Sequence, residues 1–107
     1  MQCHIKERSF IARIAAWKLG ASGAAIVIGK TIHLHNASKE EFMSNPRWFR
    51  HEVAHLIQFK EHGHLGFIFK YLFESVTKGY KNNKFEIAAR AAESQISMSR
   101  AVEIINK

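Results

Sequence analysis

The chain alternates between two hydrophobic periods. Over Glu7–Leu19 the apolar residues Phe10, Ile11, Ile14, Ala15 and Leu19 recur at helical spacing, with Arg13 and Lys18 between them. That spacing predicts an amphipathic helix. The period then shortens. Ala24-Ala25-Ile26-Val27-Ile28 and Thr31-Ile32-His33-Leu34-His35 flank Gly29-Lys30, which predicts two short strands about a tight turn. In the second strand Ile32 and Leu34 alternate with Thr31, His33 and His35, the pattern of a half-buried edge strand with both histidines exposed. Ser38-Lys39-Glu40-Glu41 fits a capping box and starts a short helix ending near Asn45.

The helical period returns at Pro46 and runs to about Lys60. Asn45 can cap free amides, and Pro46 fits a first helical position because its missing N–H is not needed there. Trp48, Phe49, Val53, Ala54, Leu56, Ile57 and Phe59 wrap most of this helix, so it is expected to be buried. Gly66–Val76 is dense in Phe67, Ile68, Phe69, Tyr71, Leu72 and Phe73. Packing around the preceding helix is the expected use, since a small domain needs its large apolar residues in the core; a membrane-surface segment is the competing reading. Asn83-Lys84-Phe85-Glu86 opens a last helical stretch with Phe85, Ala88, Ala89, Ala92 and Ile96 at helical spacing. The expected fold is α+β and mostly helical: one domain over 1–107, with a small β-hairpin sheet next to the Pro46 helix.

Composition narrows the class. A chain of 107 residues supports one modest core. Its single cysteine, Cys3, excludes an internal disulfide and fits a reducing compartment. No apolar run approaches the roughly 18 residues that span a bilayer. Arg13 and Lys18 interrupt what would be a signal-peptide core, so a cytoplasmic location is expected. Net charge is +7, from 16 Lys and Arg against nine acidic residues, all Glu. The basic residues are dispersed and form no recognisable nucleic-acid module, which favours solubility over specific nucleic-acid binding.

Residues 51–55 read His-Glu-Val-Ala-His. On a helix, side chains four apart share a face, so His51 and His55 can close on one metal ion. Zinc suits imidazole ligands, and Glu52 beside them can take a proton from a zinc-bound water. Shuffling this composition produces the motif in roughly 0.04 matches per chain, so chance is a weak explanation. A third ligand is needed. Downstream, Gln58 and Glu61 occupy the glycine and final histidine positions of the longer metzincin motif, and His62 and His64 are out of register. His62-Gly63-His64 reads instead as a polar loop. The other source is the last helix, where Glu86 and Glu93 lie two turns apart on nearly one face. Glu86 also stands three residues after Asn83, where a capping box would use it only to satisfy a backbone amide.

The stretch from Trp48 to Glu93 resembles small zincin-like domains of the glutamate-ligand (gluzincin) type. It looks most like bacterial domains of unknown function related to the peptidase-like core domain of contractile-injection-system effectors. The carrying residues are His51-Glu52-Val53-Ala54-His55-Leu56-Ile57-Gln58, then Gly66-Phe67-Ile68-Phe69-Lys70-Tyr71-Leu72, then Gly79-Tyr80 through Phe85-Glu86-Ile87-Ala88-Ala89. The resemblance implies His51, His55 and Glu86 as zinc ligands, Glu52 as general base and a peptide or protein as substrate, with Glu93 as an outer-shell or alternative ligand. It departs from better-known gluzincins in one place: Arg90 follows Glu86 by four residues, where an acidic residue would orient a zinc histidine. Tyr71 and Tyr80 can each offer a hydroxyl to an oxyanion, and Tyr80, just before Glu86, is the expected one. The expected function is zinc-dependent peptide hydrolysis. The alternatives are a degenerate zincin serving as a metal-containing protein-interaction module, and a metal-free basic nucleic-acid binder.

Overall fold

The computed structural model describes residues 1–19 and 24–105, with the backbone alone over 15–19. The fold is α+β and mostly helical. Strand β1 (Gln2–Lys6) leads to helix α1 (Phe10–Leu19), then to the hairpin β2 (Ala24–Ile28) and β3 (Thr31–His35). Helices α2 (Lys39–Met43), α3 (Pro46–His62), α4 (His64–Lys78) and α5 (Lys84–Ala92) follow, then a 3-10 turn over Ile96–Arg100 and strand β4 (Glu103–Ile105). No helix among the described residues is long and apolar enough to cross a membrane.

The hairpin forms as its sequence predicts, with Gly29 at φ 62° in the turn and Ile28 opposite Thr31. It is not the whole sheet. The strand order is β2-β3-β1-β4, with β1 parallel to both β3 and β4. β3 is therefore an interior strand, and β2 and β4 are the edges. This corrects the expectation for β3: His33 and His35 are half-buried, and the Ser9 hydroxyl pairs with His33 Nδ1 at 2.9 Å.

Helix α1 begins at Phe10 rather than Glu7, because buried Ser9 caps it. It packs against β2 and β3, with Ala12 fully buried. Phe10, Ile11 and Ile14 are exposed, so the expected apolar side is not buried at these positions. Ala15 and Leu19 lie outside the described side chains. The α2 capping box is present, Ser38 Oγ accepting from Glu41 N and Glu41 Oε1 from Ser38 N.

The core lies between the sheet and the helices. Ile32, Leu34, Val27 and Cys3 meet Phe42 of α2 and Phe49, Val53 and Leu56 of α3. Phe59, Phe67 and Phe85 extend it toward α4 and α5, with ring centroids 4.5 Å (Phe59–Phe67) and 5.0 Å (Phe67–Phe85) apart. The other side of α3 meets α5 through Ala54, Ala89 and Ala92. These small side chains let the two helix backbones approach, which sets the distance across which polar groups on α3 and α5 can meet.

Candidate metal centre

Helix α3 starts as expected, with Asn45 Oδ1 accepting from Trp48 N at 3.1 Å and Pro46 in the first turn. It presents His51, Glu52, His55 and Gln58 toward α5 and a cavity. The start of α5 is fixed by side chains, too. Fully buried Asn83 donates from Nδ2 to Tyr71 O (3.1 Å) and to Ser75 Oγ (2.9 Å), while its Oδ1 accepts from Phe85 N. Glu74 accepts from Lys84 N at 3.0 Å. The Asn83 backbone N–H, from which a capping Glu86 would accept, donates instead to Tyr80 O at 3.3 Å, and the Glu86 carboxylate turns to the histidines.

The Glu86 carboxylate lies between the two imidazoles. Oε1 is 3.0 Å from His51 Nε2, Oε2 is 3.3 Å from His55 Nε2, and Tyr71 donates its hydroxyl to Oε2. The far ring nitrogens are also held. Glu93 Oε2 stands 2.8 Å from His51 Nδ1, and Gln58 Oε1 stands 2.9 Å from His55 Nδ1. Gln58 Nε2 donates to Phe85 O at 3.1 Å, which orients the amide so that its oxygen faces His55. Both Nδ1 atoms therefore act as donors. In a neutral ring each Nε2 would then point a lone pair at a carboxylate oxygen, acceptor against acceptor. Either a second proton on each ring or one shared cation removes that conflict.

The charge balance reflects this crowding. Burial alone disfavours an imidazolium at His51, but the Glu86, Glu52 and Glu93 carboxylates outweigh it and carry its pKa up to about 9. His55 is raised against burial by Glu86 and Glu52. Burial also opposes the Glu86 carboxylate, yet His51, His55 and Tyr71 hold it well below the usual carboxylate range. Glu52 goes the other way. Burial pushes it up to about 7 against the pull of both imidazoles, with Glu86 and Glu93 adding to the rise. Among the described residues no side chain hydrogen-bonds Glu52, and it faces the cavity.

That cavity is about 310 Å³. Edge strand β2 forms one wall, Ile68, Tyr71 and Leu72 of α4 form another, and His51, Glu52, His55 and Glu86 lie within it. Tyr80 lines the same space from the turn after α4; burial, then the Glu86 and Glu52 charges, push its hydroxyl up to about 12.

The residues singled out from sequence thus fall into two groups. Among the described residues His51, His55 and Glu86 bring one donor atom each to within 4.8 Å of one another. Glu93 stands behind His51, not in this group. Glu61, His62 and His64 are exposed and apart from it: His62 lies against Phe67, and His64 against the Gly29 turn. Neither His33 nor His35 lines the cavity. Arg90 does not face His51; it donates to Lys81 O and braces the turn that carries Tyr80. The place left open by Arg90 is filled by Glu93, one further turn along the chain. Sequence reasoning gave Gln58 no role, although its place three residues after His55 was the available signal.

Two imidazoles, each held from behind at Nδ1, and one carboxylate form a donor set that could hold a metal ion. In comparison with known proteins, no family model matches the chain, and neither a curated protein nor a solved structure matches it.

Proposed function

We propose that the protein is a zinc-dependent peptidase, with His51, His55 and Glu86 holding the metal and Glu52 as general base. The observation that carries this reading is the double constraint on the imidazoles. Their Nδ1 atoms are tied to Glu93 and Gln58, so both Nε2 atoms converge on one buried carboxylate. A divalent cation there would polarise a substrate carbonyl and make a nucleophilic water available near neutral pH.

The rest of the chemistry belongs to the chain. Glu52, uncommitted and facing the cavity, accepts the proton of the attacking water and delivers it to the leaving amine. Tyr80 donates to the oxygen that becomes negative as the carbonyl is attacked. Tyr71 is spent on Glu86, which fixes the carboxylate. Edge strand β2 lines the cavity and offers backbone groups to an extended peptide. Three converging donor side chains among the described residues, rather than four, favour catalysis over a closed structural site. A lone buried thiol at Cys3 fits a reducing compartment, which supports a cytoplasmic location.

Elemental analysis should find about one zinc per chain. His55→Ala should abolish it. Undiminished zinc affinity in the His51→Ala/His55→Ala double variant would refute the ligand assignment.

A further inference from the structure

The aromatic stretch divides into two faces. Phe67 is buried, and Ile68 and Tyr71 are half-buried, as packing around α3 requires. The other face does not pack. Leu65, Phe69, Leu72, Phe73 and Val76 are 53–84% exposed. On a helix their spacing gathers them in one stripe about 16 Å long. A run of five large apolar side chains is more than the scattered exposure normal for a protein surface.

Charge identifies what would cover it. Between Glu61 and Glu86 the one acidic residue is Glu74, and it is buried and already bound to Lys78 and Lys84 N. The same span carries Lys70, Lys78, Lys81 and Lys84, all exposed. The stripe therefore has a cationic and no acidic surround along its own segment, within a chain of net charge +7. A second copy fits poorly, because pairing two such stripes would bring together flanks that carry exposed lysines and no exposed acidic residue along this segment. An apolar helix face with aromatic residues and flanking lysines suits the boundary between headgroups and acyl chains of an anionic bilayer. We propose that the outer face of α4 docks on an anionic phospholipid surface. Leu72 belongs both to the stripe and to the wall of the cavity, so docking sets the cavity mouth at the membrane boundary. This surface stands independently of the peptidase reading, since it uses none of the proposed ligands.

Co-sedimentation of the full chain with vesicles tests it. Vesicles of phosphatidylcholine with about 30 mol% phosphatidylserine should retain the protein, and phosphatidylcholine alone should not. Phe69→Ser/Phe73→Ser should weaken retention roughly tenfold or more while the far-ultraviolet circular dichroism stays unchanged, because both side chains are exposed. Lys70→Glu/Lys81→Glu should weaken it too, and added salt should mimic that loss. Three results would overturn the proposal. One is failure to bind either vesicle. Another is equal retention of the Phe69→Ser/Phe73→Ser variant. The third is a wild-type dimer in analytical ultracentrifugation that this variant converts to monomer, which would assign the stripe to a second copy.

Discussion

The two sides of α3 obey different physics. One side carries Phe49, Val53 and Leu56 into an apolar cluster with Ile32, Leu34 and Phe42. There the contribution is burial, which is non-directional and tolerant of similar shapes. The other side sets His51, Glu52, His55 and Gln58 against α5, where Glu86 and Glu93 answer them. Burying so many ionisable groups opposes folding unless each is paired in an oriented way. The first side specifies that a helix lies here; the second specifies which atoms meet. A functional site is expected where a chain accepts the second kind of cost.

The sharpest break in this contrast is Glu52→Gln. It should leave zinc content and fold intact while lowering peptide turnover by roughly 10²–10⁴-fold, the usual contribution of a general base. Turnover at wild-type level, measured on any peptide the wild type cleaves, would remove Glu52 from the chemistry. Leu56→Ala attacks the opposite side. Leu56 is fully buried, so the variant should lose about 2–5 kcal/mol in denaturant unfolding while its folded fraction still binds one metal.

Smaller effects refine the polar side. Glu93→Gln leaves a hydrogen-bond acceptor on His51 but removes its charge, and metal affinity in a competition titration should fall about 10–100-fold. An unchanged affinity would mean that Glu93 serves only its contacts with Arg47 and Arg50. The mildest expected effect is on pH dependence in chelator-treated protein. His51 has a folded pKa of about 9 against an ordinary value of 6.5, so its stabilising contribution is complete below 6.5 and lost as pH rises through 9. Glu52, raised from 4.5 to about 7, acts in the same direction at lower pH. Urea midpoints should therefore be lower at about pH 9.5 than at about pH 6, and His51→Gln should flatten that difference. A midpoint that rises over this range contradicts the imidazolium–carboxylate arrangement.

Much of this was readable from residue order because the signals were local. Asn45-Pro46 started α3, Ser38 and Glu41 boxed α2, and Gly29-Lys30 turned the hairpin. The pairing of His51 and His55 on one face followed from helix geometry. What escaped depended on distant partners. β1 offers only Cys3 and Ile5 as apolar signals and β4 is three residues long; each becomes a strand by parallel pairing across the fold. Without them β3 looked like an edge. Helical spacing also continued past its physical end: α5 stops at Ala92, Ile96 falls in a 3-10 turn and is exposed, and Ala88 faces solvent. For α4, periodicity marked apolar residues all round and could not say which of them would find neighbours. Asn83 and Glu86 had the spacing of a capping box, but the Asn83 backbone N–H goes to Tyr80 O, leaving the glutamate to the histidines.

Glu86 reaches the paired rings only after the chain has travelled the length of α4 and returned, and Tyr71 on that excursion holds it there. A nascent chain therefore owns the two rings long before it owns the grip that completes them. On the ligand assignment proposed above, the capacity to capture an ion would report on the docking of α5, since two imidazoles without the carboxylate make an incomplete grip.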